Sequence, residues 1–359
     1  MFSSIFSNEK WPEIMTKAAQ RENREEAGRK GLGHWPKQVF LRLGVLPIFL
    51  IGALVIFTWL SENFLTQRNL LNVVRQSSYL VLVSVGQMFA LLTGGFDLSV
   101  GTIVAVTSVV GALAMATLHA ALPEATFLVI TLGCLAGIAA GGLIGAINGL
   151  GVALFRVSPF MMTLGMASVG FGIALFLTGG VPVYGMPFAF SDAFGFGTFL
   201  GVPSPVLVAL LLIVFLYFLV SRTATGRYFY AVGANIQAAE LSGVPSRRIL
   251  FFAYLFCGLI AAIAGMLLTA RLETGEANIG SSLALESIAA CVIAGVSLRG
   301  GVGRLENVVL GALFIGLLSN GMNLAQIQSY LQTVVVGILL IVAVIADQYR
   351  LRLMAADRA

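Results

Sequence analysis

Ten stretches of this chain are apolar for long enough to cross, or nearly cross, about 30 Å of hydrocarbon. They lie at roughly 44–60, 73–92, 98–118, 126–148, 159–179, 205–221, 248–270, 283–298, 307–322 and 329–346. Such a succession has few solutions, because a backbone in lipid must satisfy its own hydrogen bonds, and runs of this length do so as helices. The expected fold class is an all-α polytopic membrane protein with about ten transmembrane helices. Two runs, 283–298 and 307–322, are short. The run 73–92 carries Arg75, Gln76, Ser77, Ser78 and Gln87, which suits a helix facing other helices or water. Only 10% of the 359 residues are charged and 58% are hydrophobic, so no soluble catalytic domain fits in the remainder. Cys134, Cys257 and Cys291 all fall inside apolar runs, as small buried hydrophobes with no disulfide framework.

The positive charges orient the runs. With the N-terminus inside, 18 of the 21 Lys and Arg residues fall on the cytoplasmic side, and Arg68, Arg75 and Arg271 fall outside that pattern. Ten spans with both termini cytoplasmic satisfy this bias, and an odd number would break it. The expected layout is a cytoplasmic extension at 1–43, a transmembrane domain at 44–347 with a long inner loop at 222–248, and a cytoplasmic tail at 348–359. The extension lacks the basic start and immediate apolar core of a cleavable signal. Residues 9–27 suit an interfacial helix and a disordered arm about equally.

Between the second and third runs stands Thr93-Gly94-Gly95-Phe96-Asp97-Leu98-Ser99-Val100-Gly101. An Asp at the bilayer centre costs roughly 2.5 to 3.5 kcal/mol on insertion scales, so something specific must hold it. Asp97 precedes a helix-compatible run, where a carboxylate caps free N–H groups and meets the positive end of the helix dipole. A helix broken inside a membrane is usually where solute passes or is held. Residues 274–281 (TGEANIGS) echo 95–102 (GFDLSVGT), and Asn148-Gly149 is echoed by Asn320-Gly321. Five spans separate the first pair, so this weak repeat is inverted, with one helix-start joint near each side. Polar residues in the spans, namely Gln87, Ser99, Asn148, Glu286, Asn320 and Asn323, either line a path or bond helix to helix. The candidate helix-break and path set is Gly95, Phe96, Asp97, Ser99, Gly101, Asn148, Glu286 and Asn320.

In the inner loop, Asn235 is placed to cap a short helix over 236–241, Gly243 to end it in the left-handed conformation, and Pro245 to stop its continuation. Such a helix docks into a groove on a soluble partner, or the loop merely fixes topology.

Three ordered stretches, LLTGGFDLSVGTIVAV (91–106), TGRYFYAVGANIQAAELSGV (225–244) and IAACVIAGVSLRGGVGRLENVVLGALFIGLLSNGMNL (288–324), resemble the permease subunit of bacterial ABC monosaccharide importers of the ribose/xylose/rhamnose type. The resemblance covers about residues 44–347. It implies a permease homodimer in the bacterial inner membrane, two copies of a cytoplasmic ABC ATPase that carry the ATP and Mg, and a periplasmic sugar-binding protein that delivers a monosaccharide. It also implies that Ala238, Ala239, Glu240, Leu241 and Gly243 form the ATPase-coupling helix. The extension is longer than the family leads one to expect. This chain has no GxxxxGK[ST] phosphate loop, so no cofactor is expected on it and ATP belongs to a partner. His34 and His119 lie in the extension and in an outside loop, which leaves no intramembrane histidine base or His-rich metal site. Nucleic acid is not an expected partner. The alternatives are a branched-chain amino acid permease of the same transporter class, or a passive channel or facilitator.

Overall fold

The computed structural model describes residues 46–356, so the extension expected at 1–43 lies outside the described residues. Among the described residues, beside a short helical stretch at Phe188–Phe190 and Ser191–Phe196, twelve helices carry the fold: α1 Leu46–Leu60, α2 Gln67–Leu92, α3 Val100–Ala121, α4 Thr126–Ala153, α5 Pro159–Thr178, α6 Ser204–Arg222, α7 Ala224–Ala234, α8 Ile236–Leu241, α9 Ser246–Leu272, α10 Leu283–Ile293, α11 Leu305–Leu324 and α12 Ser329–Ala356. Each of the ten apolar runs falls on one of them. Seven, including Ser329–Ala346 of α12, are long and apolar enough to cross a membrane, while α1 and α10 are apolar but shorter. The protein is thus a polytopic all-α membrane protein. Its one sheet among the described residues is a hairpin, β1 Thr198–Phe199 with β2 Val202–Pro203, turned at Gly201.

The centre of the bundle is α2. Its first turns are exposed and capped by Thr66, whose hydroxyl accepts from the Asn69 N–H, and from Ser77 to Leu92 every residue is buried. Helices α9, α11 and α10 pack on it, and α4 closes on α9 and α3. Gly133, Gly137, Gly141, Gly145 and Gly149 recur every fourth residue on α4, one face of a helix. That bare face is what lets α9 approach. A Cβ at Gly258 would sit 2.8 Å from the Gly145 Cα, and one at Gly145 would sit 2.7 Å from the Tyr254 carbonyl. Close approach of this kind replaces the hydrophobic drive that lipid cannot supply. Helices α5, α6 and α12 form the periphery, with large apolar side chains such as Phe176, Leu211 and Ile341 turned outward.

One expected span departs from the sequence reading. The run 283–298 forms a helix only to Ile293. Gly295 adopts φ +82°, and the Val296 N–H returns to the Cys291 carbonyl, a Schellman-type end that only glycine accommodates without strain. Nor does α10 begin at the surface of the bundle. The non-helical linker 273–282 runs along α3, with Gly275 against Ser108 and Ala112 and Gly280 against Gly101 and Val104. The linker is tied on its other side by a bridge between Gly275 and Val183. A half-length helix therefore starts partway along α3, behind a linker packed on one side with Ser281 and Ser282 exposed on the other, and such irregular backbone is tolerated in membranes only where protein or a water-filled cavity covers it.

Candidate functional site

Asp97 is fully buried, and the chain is organised to hold it. Its Oδ1 accepts from the Ser99 N–H at 2.8 Å and from the Ser99 hydroxyl at 2.6 Å. Asn148, from α4, donates through Nδ2 to Ser99 Oγ at 2.8 Å and to Asp97 Oδ2 at 3.3 Å. From α2, Gln87 brackets the same residue's backbone, its Nε2 donating to the Asp97 carbonyl at 3.1 Å and its Oε1 accepting from the Asp97 N–H at 3.0 Å. The carboxylate does not cap α3 itself. A turn through Leu98 and Ser99 intervenes, and Ser99, the N-cap residue, makes no side-chain cap bond. Asp97 caps that turn instead, which satisfies donors that lipid could not.

The walls are equally close. Gly95 has the Tyr254 hydroxyl and the Pro159 ring where a Cβ would be, and Phe96 meets Phe160 edge-on at 6.2 Å. Gly101 abuts the Gly280 carbonyl, so the two joints that the sequence sets on opposite sides touch in the middle of the fold. Two buried polar atoms in this cluster, Asn148 Oδ1 and Tyr254 Oη, have no partner among the described residues.

Glu286 faces a different space. Half-buried on the first turn of α10, it lines a cavity of about 470 Å³ with Ser281, Ser282, Ser319, Gln332 and Thr333. Hydroxyl, amide and carboxylate groups thus converge beside a helix that starts within the bundle. Asn320 lies at the other end of α2 from Asp97, in a reciprocal amide pair with Asn69 at 2.9 and 3.0 Å. Asn323 accepts from Gln332 Nε2 at 2.7 Å.

At the end of the bundle where α2 finishes, α7 and α8 form a corner. Asn235 Oδ1 accepts from the Ala238 N–H at 3.0 Å and Gly243 turns at φ +81°, so α8 has the boundaries read from the sequence. Ala239 is buried, Glu240 is exposed, and Leu241 projects with 91% of its surface free. Behind it α7 is pressed onto the break. Gly233 lies flush against the Leu92 carbonyl, which also accepts from the Gly301 N–H at 2.9 Å, and Gly300 fits against Gly94. Tyr230 donates to the Gly303 carbonyl at 3.1 Å. Burial, reinforced by the Glu306 carboxylate and partly offset by Arg304, raises the pKa of this phenol and keeps it a donor.

Sequence reasoning missed Gln87 as a clamp on the Asp97 backbone and Tyr254 as a wall of the same pocket. Gln87 was marked only as a polar residue within a span, and nothing local marks Tyr254, since its partners come from helices that only folding brings alongside. In the segment between α5 and α6, Phe190 is buried, Tyr184 and Phe188 are exposed, and Phe196 carries the Arg271 guanidinium 4.5 Å above its ring.

Comparison with known proteins gives a consistent picture. A family profile described as "Branched-chain amino acid transport system / permease component" matches residues 69–344. Ribose import permease protein RbsC of Escherichia coli (strain K12) is 37% identical over 303 residues, 84% of this chain and 92% of that protein. D-allose transport system permease protein AlsC of the same strain is 39% identical over 302 residues, 84% of this chain and 90% of its own length. L-arabinose ABC transporter permease protein AraH of Azospirillum brasilense is 34% identical over 321 residues, 89% and 90% of the two chains. No solved structure matches.

Proposed function

This chain belongs to the family described as the branched-chain amino acid transport system permease component, and from that membership we propose that it is the membrane-spanning subunit of an ATP-driven importer for a monosaccharide. The relatives matched over nine-tenths of their length are named for ribose, allose and arabinose, which favours a sugar over a branched-chain amino acid. The observation that carries the ATP-driven reading is α8, a capped helix with a free apolar tip, backed onto the Asp97 break through α7. A passive channel has no use for such a part.

In this reading α8, with its Ala238, Ala239, Glu240 and Leu241, and Gly243 just beyond it dock on a cytoplasmic ABC ATPase, which binds the ATP and Mg. A displacement of α8 passes to α7. Gly233 has no slack against Leu92, and the 294–304 loop is tied to both by Gly301 and by Tyr230, so α2, the Asp97 turn and α10 move together. The buried Asp97, Ser99, Asn148 and Gln87 cluster is the rigid pivot of that motion. Sugar passes the Glu286 cavity, where hydroxyls and a carboxylate exchange hydrogen bonds with solute hydroxyls and release them without a large barrier. Such polar groups on a half-exposed face at membrane depth also call for company other than lipid, and a second permease facing this side would supply it. A binding protein outside delivers the sugar, and both termini lie in the cytoplasm of the inner membrane.

The test is copurification of the full chain with an ABC ATPase and a binding protein encoded beside it, followed by ATPase assays across a panel of pentoses and hexoses. Stimulation by a sugar-loaded binding protein supports the reading. Failure of the three to associate, or stimulation by leucine and isoleucine in place of sugars, refutes it.

A further inference from the structure

The three arginines that stand outside the basic pattern of the chain do not scatter. Arg68 and Arg75 from α2 and Arg271 from α9 meet at the end of the bundle remote from α8, in a recess of about 710 Å³ that they share with Asn63, Thr66 and Asn72. A deeper chamber of about 310 Å³ continues from it, walled by Arg75 and Arg271 with Gln76 and Tyr79. The two volumes have Asn72, Arg75 and Arg271 in common, so they form one funnel.

Four observations define an occupant. No carboxylate among the described residues lines either chamber, so the three arginines share the recess with no such lining group to neutralise them. Two buried polar atoms on the funnel walls, Arg75 Nε and Tyr79 Oη, have no partner among the described residues, and Tyr79 is only 6% exposed. Arg271 is held in place over Phe196, a preorganised cation that loses little freedom on binding. Finally, Tyr79 is buried where Asn72 and Gln76, which line the same chamber, are exposed, so the chamber opens outward and ends at the phenol. A volume of 310 Å³ is at the lower end of small-ligand pocket volumes. A donor-rich, cationic chamber of that size selects an acceptor-rich anion, and guanidinium forks match a carboxylate in two parallel hydrogen bonds.

We infer that the funnel is an entry site for a carboxylate-bearing monosaccharide, a sugar acid, bound through Arg75 and Arg271 with Tyr79 at its floor. The inference rests on the importer reading for its direction of travel but not for its chemistry. It narrows the solute from sugars in general to acidic ones.

The full chain in lipid nanodiscs is titrated calorimetrically with galacturonate and with galactose. Galacturonate is expected to bind and galactose to bind at least about tenfold more weakly. Arg75→Gln and Arg271→Gln are each expected to weaken galacturonate about tenfold, and Arg75→Lys, which keeps the charge, to weaken it less. Thermal unfolding of each variant shows whether the fold is kept. Equal binding of the two sugars, binding of neither, or galacturonate binding unchanged in Arg75→Gln overturns the site. So does a polyglutamate peptide that binds in an Arg75-dependent way where galacturonate does not, which would assign the recess to an acidic protein surface. The two readings fail separately. ATP-driven uptake of neutral sugars without uronate binding removes the sugar-acid site and leaves the importer, and Arg75-dependent uronate binding without ATP-driven uptake of any sugar does the reverse.

Discussion

Gly233 on α7 rests directly against the carbonyl oxygen of Leu92, the last residue of α2, with no space for a Cβ between them. The contact joins a helix outside the membrane core to the residue five positions before Asp97. Because the obstruction is backbone, relief requires moving an entire element, and overpacking of this kind costs about 1 to 3 kcal/mol. Gly233→Ala is therefore expected to insert normally but to lower binding-protein-stimulated ATPase activity by about tenfold, read as the ratio of stimulated to basal turnover. An unchanged ratio would separate α7 from coupling.

The Asp97 cluster predicts a graded response. Asp97→Asn keeps an acceptor for the Ser99 and Asn148 donors, whereas Asp97→Leu leaves them orphaned in a buried site at about 1 to 3 kcal/mol for each unsatisfied group. Thermal unfolding in detergent should rank wild type above Asn and Asn well above Leu, and uptake should follow the same order. Equal midpoints for the two variants would show that the hydrogen bonds do not hold the break.

How much of this was legible beforehand depends on the range of the forces involved. Helix α8 was readable to the residue because Asn235 and Gly243 act on their immediate neighbours. The glycine stripe of α4 is a four-residue spacing whose meaning follows only from α9 lying on it. The early end of α10 was written in Gly295, but hydropathy continues through Val296 and Leu298 and masks it. The convergence of Arg68 and Arg75 with Arg271 was beyond any local pattern. Two hundred residues separate them, and what the sequence offered was their shared exception to the basic bias. The meeting of Gly101 with Gly280 likewise depends on a non-helical linker running along α3, which the short apolar run at 283–298 hinted at only through its length.

Exposure separates docking from folding at Leu241. With 91% of its surface free, it contributes little to the stability of the chain. Leu241→Asp should leave the unfolding midpoint within error of wild type and abolish copurification with the ATPase, since an apolar hot spot replaced by a charge meets an unpaired, desolvated partner. Retained copurification would place the docking surface elsewhere.

The Glu286 cavity carries the polar side of the solute path in the proposed mechanism. Glu286→Gln preserves shape and hydrogen bonding but removes the charge, and Glu286→Leu removes both. Uptake is expected to fall several-fold in the first and at least about tenfold in the second, with ATPase assembly intact in each. Wild-type uptake in Glu286→Leu would exclude this cavity from the path.

The central claim, that this chain couples ATP hydrolysis to sugar entry, is tested most directly in proteoliposomes holding the full chain with its ATPase and binding protein, by following a labelled sugar. The account predicts accumulation above the equilibrium level that needs ATP and disappears in Leu241→Asp. Sugar that merely equilibrates across the membrane at the same rate with or without ATP would contradict it and identify a facilitator.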